Sequence, residues 1–123
     1  MTGIIETERL FLRPWRESDA GALYKYASDP RVSEMAHWPC HTSEEMSRRV
    51  IMDFFIPNPL NFAITLKDTG EPIGCIGLVP PGEENFTPDG NEREVGYWLG
   101  YPYWGRGITA EALLVLFDRL CSS

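Results

Sequence analysis

The sequence reads as an α/β (α+β) domain, a sheet flanked by helices. After a first strand, apolar residues recur at helical spacing from Ala20 to Ala27 and from Met46 to Phe54, and then alternate like a strand from Phe62 onward. Near the end, a half-buried strand runs through a loop rich in Gly and aromatic residues directly into an apolar helix, over Tyr97-Trp98-Leu99-Gly100-Tyr101-Pro102-Tyr103-Trp104-Gly105-Arg106-Gly107-Ile108-Thr109-Ala110-Glu111-Ala112-Leu113. A chain of 123 residues, 43% hydrophobic and 24% charged, is expected to form one globular domain spanning 1–123.

The elements follow in order. Glu8 to Arg13 sets Leu10 and Leu12 against Arg9, Phe11 and Arg13 and reads as a strand ending at Pro14. Glu17 or Ser18 caps a helix whose Ala20, Leu23, Tyr24 and Ala27 share a face, and Asp29-Pro30 stops it. A second helix is expected to start at Thr42, with Glu45 completing a capping box. Met46, Val50 and Phe54 form its core face, and Pro57 and Pro59 end it. Phe62 to Leu66, the turn Asp68-Thr69-Gly70 and Ile73 to Val79 make a hairpin. A polar loop lasts to Asn91, and Glu92 to Leu99 is a further strand. Ile108 to Leu120 is a helix with Ile108, Ala112, Leu116 and Leu120 on one face and Leu113 and Phe117 beside them, apolar enough to be buried on much of its circumference. The expected order is β-α-α-β-β-β-α.

Composition narrows the function classes. A net charge of −7 disfavours nucleic-acid partners, which need a basic face, and suits a cationic amine. No apolar run is long enough to span a bilayer, and Met1 to Glu6 lacks the features of a signal peptide, so no membrane partner is expected. Cys40, Cys75 and Cys121 form neither an even disulfide framework nor a metal spacing, which points to free thiols and a cytoplasmic location.

The strand–loop–helix junction carries the chemistry. The first turn of a helix holds N–H groups without intrahelical partners and the positive end of the dipole, a ready site for an anion. Gly105 and Gly107 remove the Cβ atoms that would keep a ligand off the backbone, and Thr109 adds a hydroxyl. No Gly-Lys-Ser/Thr follows, so the loop is not a P-loop, and the dinucleotide spacing is also missing. A plain tight connection remains the alternative on the residues alone.

Trp104-Gly105-Arg106-Gly107-Ile108-Thr109 resembles the Q/R-x-x-G-x-G/A coenzyme A loop of the GNAT superfamily of N-acetyltransferases. It matches at Gly107 and departs at Trp104 and Thr109. The longer run Y-W-G-R-G-x-x-x-E-A-L and the opening Glu6-Thr7-Glu8-Arg9-Leu10-Phe11-Leu12-Arg13-Pro14-Trp15 are similar to the RimJ/RimL-like branch, of ribosomal-protein-alanine acetyltransferase type. The resemblance implies a GNAT-like fold, a mixed and mostly antiparallel sheet flanked by helices. It also implies transfer of acetyl from acetyl-CoA directly to a primary amine, either a protein N-terminus or a small molecule, with no metal. Family members continue with another strand, a helix and usually two closing strands. A chain stopping at Cys121-Ser122-Ser123 is therefore expected to be C-terminally incomplete and to hold half of the site.

Residue by residue, the resemblance assigns coenzyme binding to the backbone of Tyr97, Trp98 and Leu99 and of Trp104, Gly105, Arg106, Gly107, Ile108 and Thr109. The backbone at Leu99 is the oxyanion contact, a donor fixed where charge develops. Arg106 is either a second contact to the pyrophosphate or a solvated arginine. Glu94 is the candidate general base for the amine, ahead of Glu92 on the same strand face, with solvated acids as the alternative. His37 and Trp38 are assigned to the lip of the acceptor pocket. His37, Cys40 and His41 lack a fourth ligand and regular spacing, so no metal site is expected. Glu111 is read as structural. The rival reading is a truncated, catalytically silent domain that binds coenzyme A or self-associates as a homodimer through an open sheet edge.

Overall fold

The computed structural model describes residues 4–36, 39–58, 61–78 and 95–121. Strands β1 (Ile5–Glu6) and β2 (Leu10–Pro14) open the chain, followed by helices α1 (Ala20–Ala27), α2 (Pro30–Ala36) and α3 (Glu44–Val50). Strands β3 (Asn61–Leu66), β4 (Pro72–Leu78) and β5 (Val95–Leu99) come next, and helix α4 (Ile108–Cys121) closes the described chain. The strands form one sheet in the order β1-β2-β3-β4-β5, each pair antiparallel. This is the α/β arrangement of a mostly antiparallel sheet flanked by helices expected from the sequence, and every described strand pair is antiparallel.

Pairing register sets the two faces. Leu12, Ile64, Gly74 and Leu99 lie opposite one another on successive strands, as do Arg13, Ala63, Cys75 and Trp98 on the other face. Leu12 and Ile64 are buried on the first face and Ala63, Cys75 and Trp98 on the second, so both sides of the sheet are covered. On the second face Trp15 lies against Trp98 and against Phe55, with ring centroids 6.3 and 4.9 Å apart. Arg13 and Asp19 form a two-pronged buried ion pair there, both contacts at 2.9 Å.

Two elements were not anticipated. One is the two-residue strand β1, too short to show a period. The other is α2, because Asp29-Pro30 ends one helix and starts the next. Proline is favoured in a helix's first turn, where its missing N–H has no acceptor to lose. The Asp29 carbonyl accepts from Val32 and Ser33, and its carboxylate accepts from the Arg31 amide at 2.9 Å.

Three faces differ from expectation. The buried tyrosine of α1 is Tyr26, not Tyr24, because Gly100 leaves room for its ring: a Cβ there would stand 2.6 Å from Tyr26 Cδ1. Helix α3 is capped one residue later than expected, by Ser43, whose extended backbone lets its Oγ accept from the Met46 N–H at 3.1 Å. Its inner face is Ser47, Ile51 and Phe55, and it runs on into a π turn over Ile51–Phe55. Phe54 is 67% exposed and, with Met46 and Val50, borders a surface groove instead of the core. The tertiary anchors decide this: His41 Nδ1 lies 2.7 Å from Ser47 Oγ, and Phe55 packs on Trp15.

Helix α4 buries one stripe, Ile108, Ala112 and Leu116, rather than most of its circumference. Leu114 is 70% exposed and Phe117 45%. The side chain of Leu120, the polar loop to Asn91 and the start of the strand before Val95 lie outside the described residues.

Candidate active site

Strand β5 carries the site because one of its edges is open. It pairs with β4 on one side and, among the described residues, with no strand on the other. The Gly100 amide donates to the Ile73 carbonyl at 2.7 Å. Backbone groups in an antiparallel pair alternate sides, so Trp98 and Gly96 turn theirs toward β4 while Tyr97 and Leu99 turn theirs to the open edge. The Trp98 side chain is 4% exposed and sits in the core, so that residue can offer a ligand no side chain.

After β5 the chain makes a tight 3-10 turn over Tyr101–Tyr103, in which the Tyr103 amide donates to the Gly100 carbonyl at 3.0 Å. The Tyr103 ring meets Tyr26 edge-on at 5.9 Å. The two hydroxyls are 3.4 Å apart, and that of Tyr26 donates to Glu71 at 3.3 Å. Burial, followed by the Tyr103 hydroxyl and the Glu71 charge, pushes the Tyr26 phenol well above its ordinary value, so it stays a neutral donor. Trp104 turns back so that its indole N–H donates to the Leu99 carbonyl at 2.7 Å.

Gly105 and Gly107 both adopt positive φ, 76° and 74°, which side-chain-bearing residues rarely take. The Glu111 amide donates to the Gly107 carbonyl at 3.0 Å, the first bond of α4. Gly107 is therefore the N-cap, and among the described residues no acceptor meets the amides of Ile108, Thr109 and Ala110. All three border a cavity of about 200 Å³ together with Met35, Tyr97, Leu99, Tyr103, Trp104, Gly105 and Gly107. Open strand edge, glycine loop and unsatisfied amides thus converge on one volume. Such a volume can accept an extended ligand with amides along the strand and anionic groups at the helix end.

The helix start is pinned from the far side of the sequence. Glu111 accepts hydrogen bonds from the Thr7 hydroxyl, from the Arg9 amide at 3.0 Å and from Arg9 Nε at 2.7 Å. Burial opposes its ionisation, but the hydrogen bonds from Thr7 and Arg9 and the guanidinium charge outweigh it and hold the carboxyl below its ordinary value. The structure thus engages Glu111 in a latch between α4 and the β1–β2 turn.

Of the residues assigned from the sequence, Tyr97, Leu99, Trp104, Gly105, Gly107, Ile108 and Thr109 border the cavity. Arg106 does not; it is exposed, its guanidinium carbon 5.9 Å from the centre of the Tyr103 ring. Glu92, Glu94, His37 and Trp38 lie outside the described residues. Met35, Tyr103 and Ala110 border the cavity without having been singled out. Met35 gave no signal because its helix was unrecognised, whereas Tyr103 stood inside the motif. Among the described residues no three His, Cys, Asp or Glu side chains gather as a metal group. No described helix is long and apolar enough to cross a membrane.

An antiparallel sheet whose last strand runs through a positive-φ glycine loop into a helix N-terminus is an α/β domain with an anion-accepting junction at its edge. The family model described as acetyltransferase (GNAT) domain matches residues 9–121, and the chain belongs to that family. It is 35% identical over 116 residues to p20 of Bacillus licheniformis, an uncharacterized N-acetyltransferase, covering 91% of this chain and 62% of p20. A crystal structure of an acetyltransferase from Agrobacterium tumefaciens superposes with a TM-score of 0.68 at 28% identity, covering 96% of this chain and 66% of that one. RimL, a ribosomal L7/L12 alpha-N-protein acetyltransferase solved in complex with coenzyme A, shares the fold with a TM-score of 0.67 at 21% identity, covering 95% of this chain and 67% of RimL. The chain thus spans about three fifths of the length of p20 and two thirds of these two structures.

Proposed function

We propose that this chain is the coenzyme-binding portion of an N-acetyltransferase of RimJ/RimL type, within a single GNAT domain, and that it takes acetyl-CoA as co-substrate and a primary amine as acceptor. The observation that carries the reading is the set of amides of Ile108, Thr109 and Ala110 at the start of α4, without acceptors among the described residues, bordering one cavity with Tyr97 and Leu99 of β5. Acetyl-CoA supplies an acetyl group already activated as a thioester, and direct transfer to nitrogen calls for no metal. The chain's own residues bind and orient. Backbone groups of Tyr97 pair with amides along the coenzyme's arm. The amides of the Trp104–Thr109 loop face its phosphates, and a backbone N–H at Leu99 faces the developing oxyanion.

An amine attacks only when neutral, so a carboxylate must hold its proton; Glu94 is the proposed base, and His37 and Trp38 the proposed acceptor lip. The likeness of fold to RimL, which acts on a protein N-terminus, favours that acceptor, while the chain's net charge of −7 suits a small cationic amine equally.

Calorimetric titration with acetyl-CoA, with desulfo-CoA and ATP as controls, tests the reading. Saturable binding of acetyl-CoA and desulfo-CoA well above ATP is the expected result and leads to an amine screen for turnover. A folded chain that binds neither coenzyme form overturns it.

One observation favours a second reading. The open edge of β5 and the exposed Leu114 and Phe117 offer a surface for self-association in a catalytically silent domain. Light scattering that finds only monomer at high concentration removes that reading.

A further inference from the structure

We propose that Arg9, at the β1–β2 turn, is a phosphate-binding residue of the coenzyme site, held in place by Glu111. The inference rests on the coenzyme reading above and extends it to a residue outside the glycine loop.

The geometry begins at Gly107. Where a Cβ would stand on that residue, the only atom from beyond its chain neighbours within 4 Å, among the described residues, is Arg9 Nη2, at 3.9 Å. The approach to the Gly107 backbone is therefore open except for a guanidinium at its side. Gly107 borders the cavity and caps α4; Arg9 does not itself line that cavity, and its guanidinium stands at the edge, beside Gly107.

Arg9 is held there by design of the latch. Its Nε and Nη2 both lie 2.7 Å from Glu111 Oε1, while Nη1 meets no acceptor among the described residues and the side chain stays 45% exposed. A guanidinium has five N–H donors in a planar fork, so two directed at Glu111 leave others for a phosphate oxygen. Glu111 is needed for position, yet a carboxylate in the first turn of α4 by itself repels an anionic ligand. Arg9 cancels that charge and presents its own. Arg106, the basic residue of the loop itself, leans toward the Tyr103 ring instead.

The test uses the 123-residue chain and two ligands, coenzyme A and uncharged pantetheine, titrated against wild type, Arg9→Lys, Arg9→Gln and the double variant Arg9→Gln/Glu111→Gln. Wild-type binding of coenzyme A checks the underlying reading; without it, that reading and this inference both fall. Given wild-type binding, R9Q is expected to weaken coenzyme A about tenfold or more, the loss of one charge-assisted contact, and to leave pantetheine unchanged. R9K is expected to retain most of the affinity. The double variant, which leaves no uncompensated carboxylate, keeps the test valid if R9Q folds poorly. It is expected to regain the part of the loss that comes from Glu111 repulsion and to stay clearly weaker for coenzyme A than wild type. Recovery of wild-type affinity in the double variant, or equal losses for coenzyme A and pantetheine in R9Q, would show that Arg9 serves Glu111 and the fold alone and would overturn the proposal.

Discussion

The indole N–H of Trp104 donates to the carbonyl of Leu99 at 2.7 Å, so the residue that opens the glycine loop also closes the end of the strand before it. That bond occupies the Leu99 carbonyl and leaves the Leu99 N–H as its one backbone group on that edge without a partner among the described residues. Trp104→Phe keeps an aromatic ring, though a smaller one, and removes the donor. It is expected to cost about 1 kcal/mol of stability, the net value of one such bond. If Trp104 orients the loop, coenzyme affinity falls with it, which calorimetry on the folded variant checks.

Gly107→Ala tests the cradle. An alanine at a φ of 74° is strained, which costs about 1–2 kcal/mol. The expected outcome is a lower chemical-denaturation midpoint together with weaker coenzyme A binding. A stability loss with unchanged binding would separate the loop's conformation from ligand contact.

Glu111→Gln is expected to destabilise the fold at neutral pH by about 1–2 kcal/mol, since hydrogen bonds to the charged carboxylate from Thr7 and Arg9 are weakened together. The sign with pH follows from the lowered folded value. The unfolded carboxyl titrates near 4.5, so the ionic contribution is fully present above that pH and fades as pH falls through the lower folded value. Denaturation curves of the two proteins are expected to converge in that acidic window.

Arg13 and Asp19 are both over nine-tenths buried at their side chains, and the Asp19 carboxylate also accepts from the Arg16 amide at 2.8 Å. Asp19→Ala strands a buried guanidinium and is expected to cost about 3 kcal/mol or more. Replacing both partners with apolar residues of similar volume is expected to recover much of that loss, a comparison that denaturant titration resolves.

Cys75 is buried beside Asn61, and its burial pushes the thiol up to about 12. An aromatic disulfide reagent at pH 8 is expected to leave it unmodified in the native chain and to label it on unfolding. Mass spectrometry of the labelled peptides distinguishes it from Cys40, which is only half buried.

Reading these residues in sequence order shows where local signals suffice. The alternation of Phe62, Ile64 and Leu66 and the return through Ile73 are visible because side chains along a strand change face every residue, even though this strand is buried on both faces. The loop at Gly105 and Gly107 was equally visible, since a positive φ leaves its mark as glycine. Phe54 shows the limit. Its spacing from Met46 and Val50 is helical, but an adjacent stripe, Ser47, Ile51 and Phe55, has the same spacing, and only Trp15 and His41 choose between them.

The sequence by itself determined the period of each long element, the antiparallel hairpin, the glycine loop and the helix that starts after it, and through that motif the family. These are local properties, written within a few residues of where they act. The tertiary structure alone decided that Tyr26 rather than Tyr24 is buried. It also decided that Arg9 meets Glu111, 102 positions away, beside Gly107. Sheet register and helix docking set such meetings, and they depend on every strand between the two partners. No window of neighbouring residues contains that information.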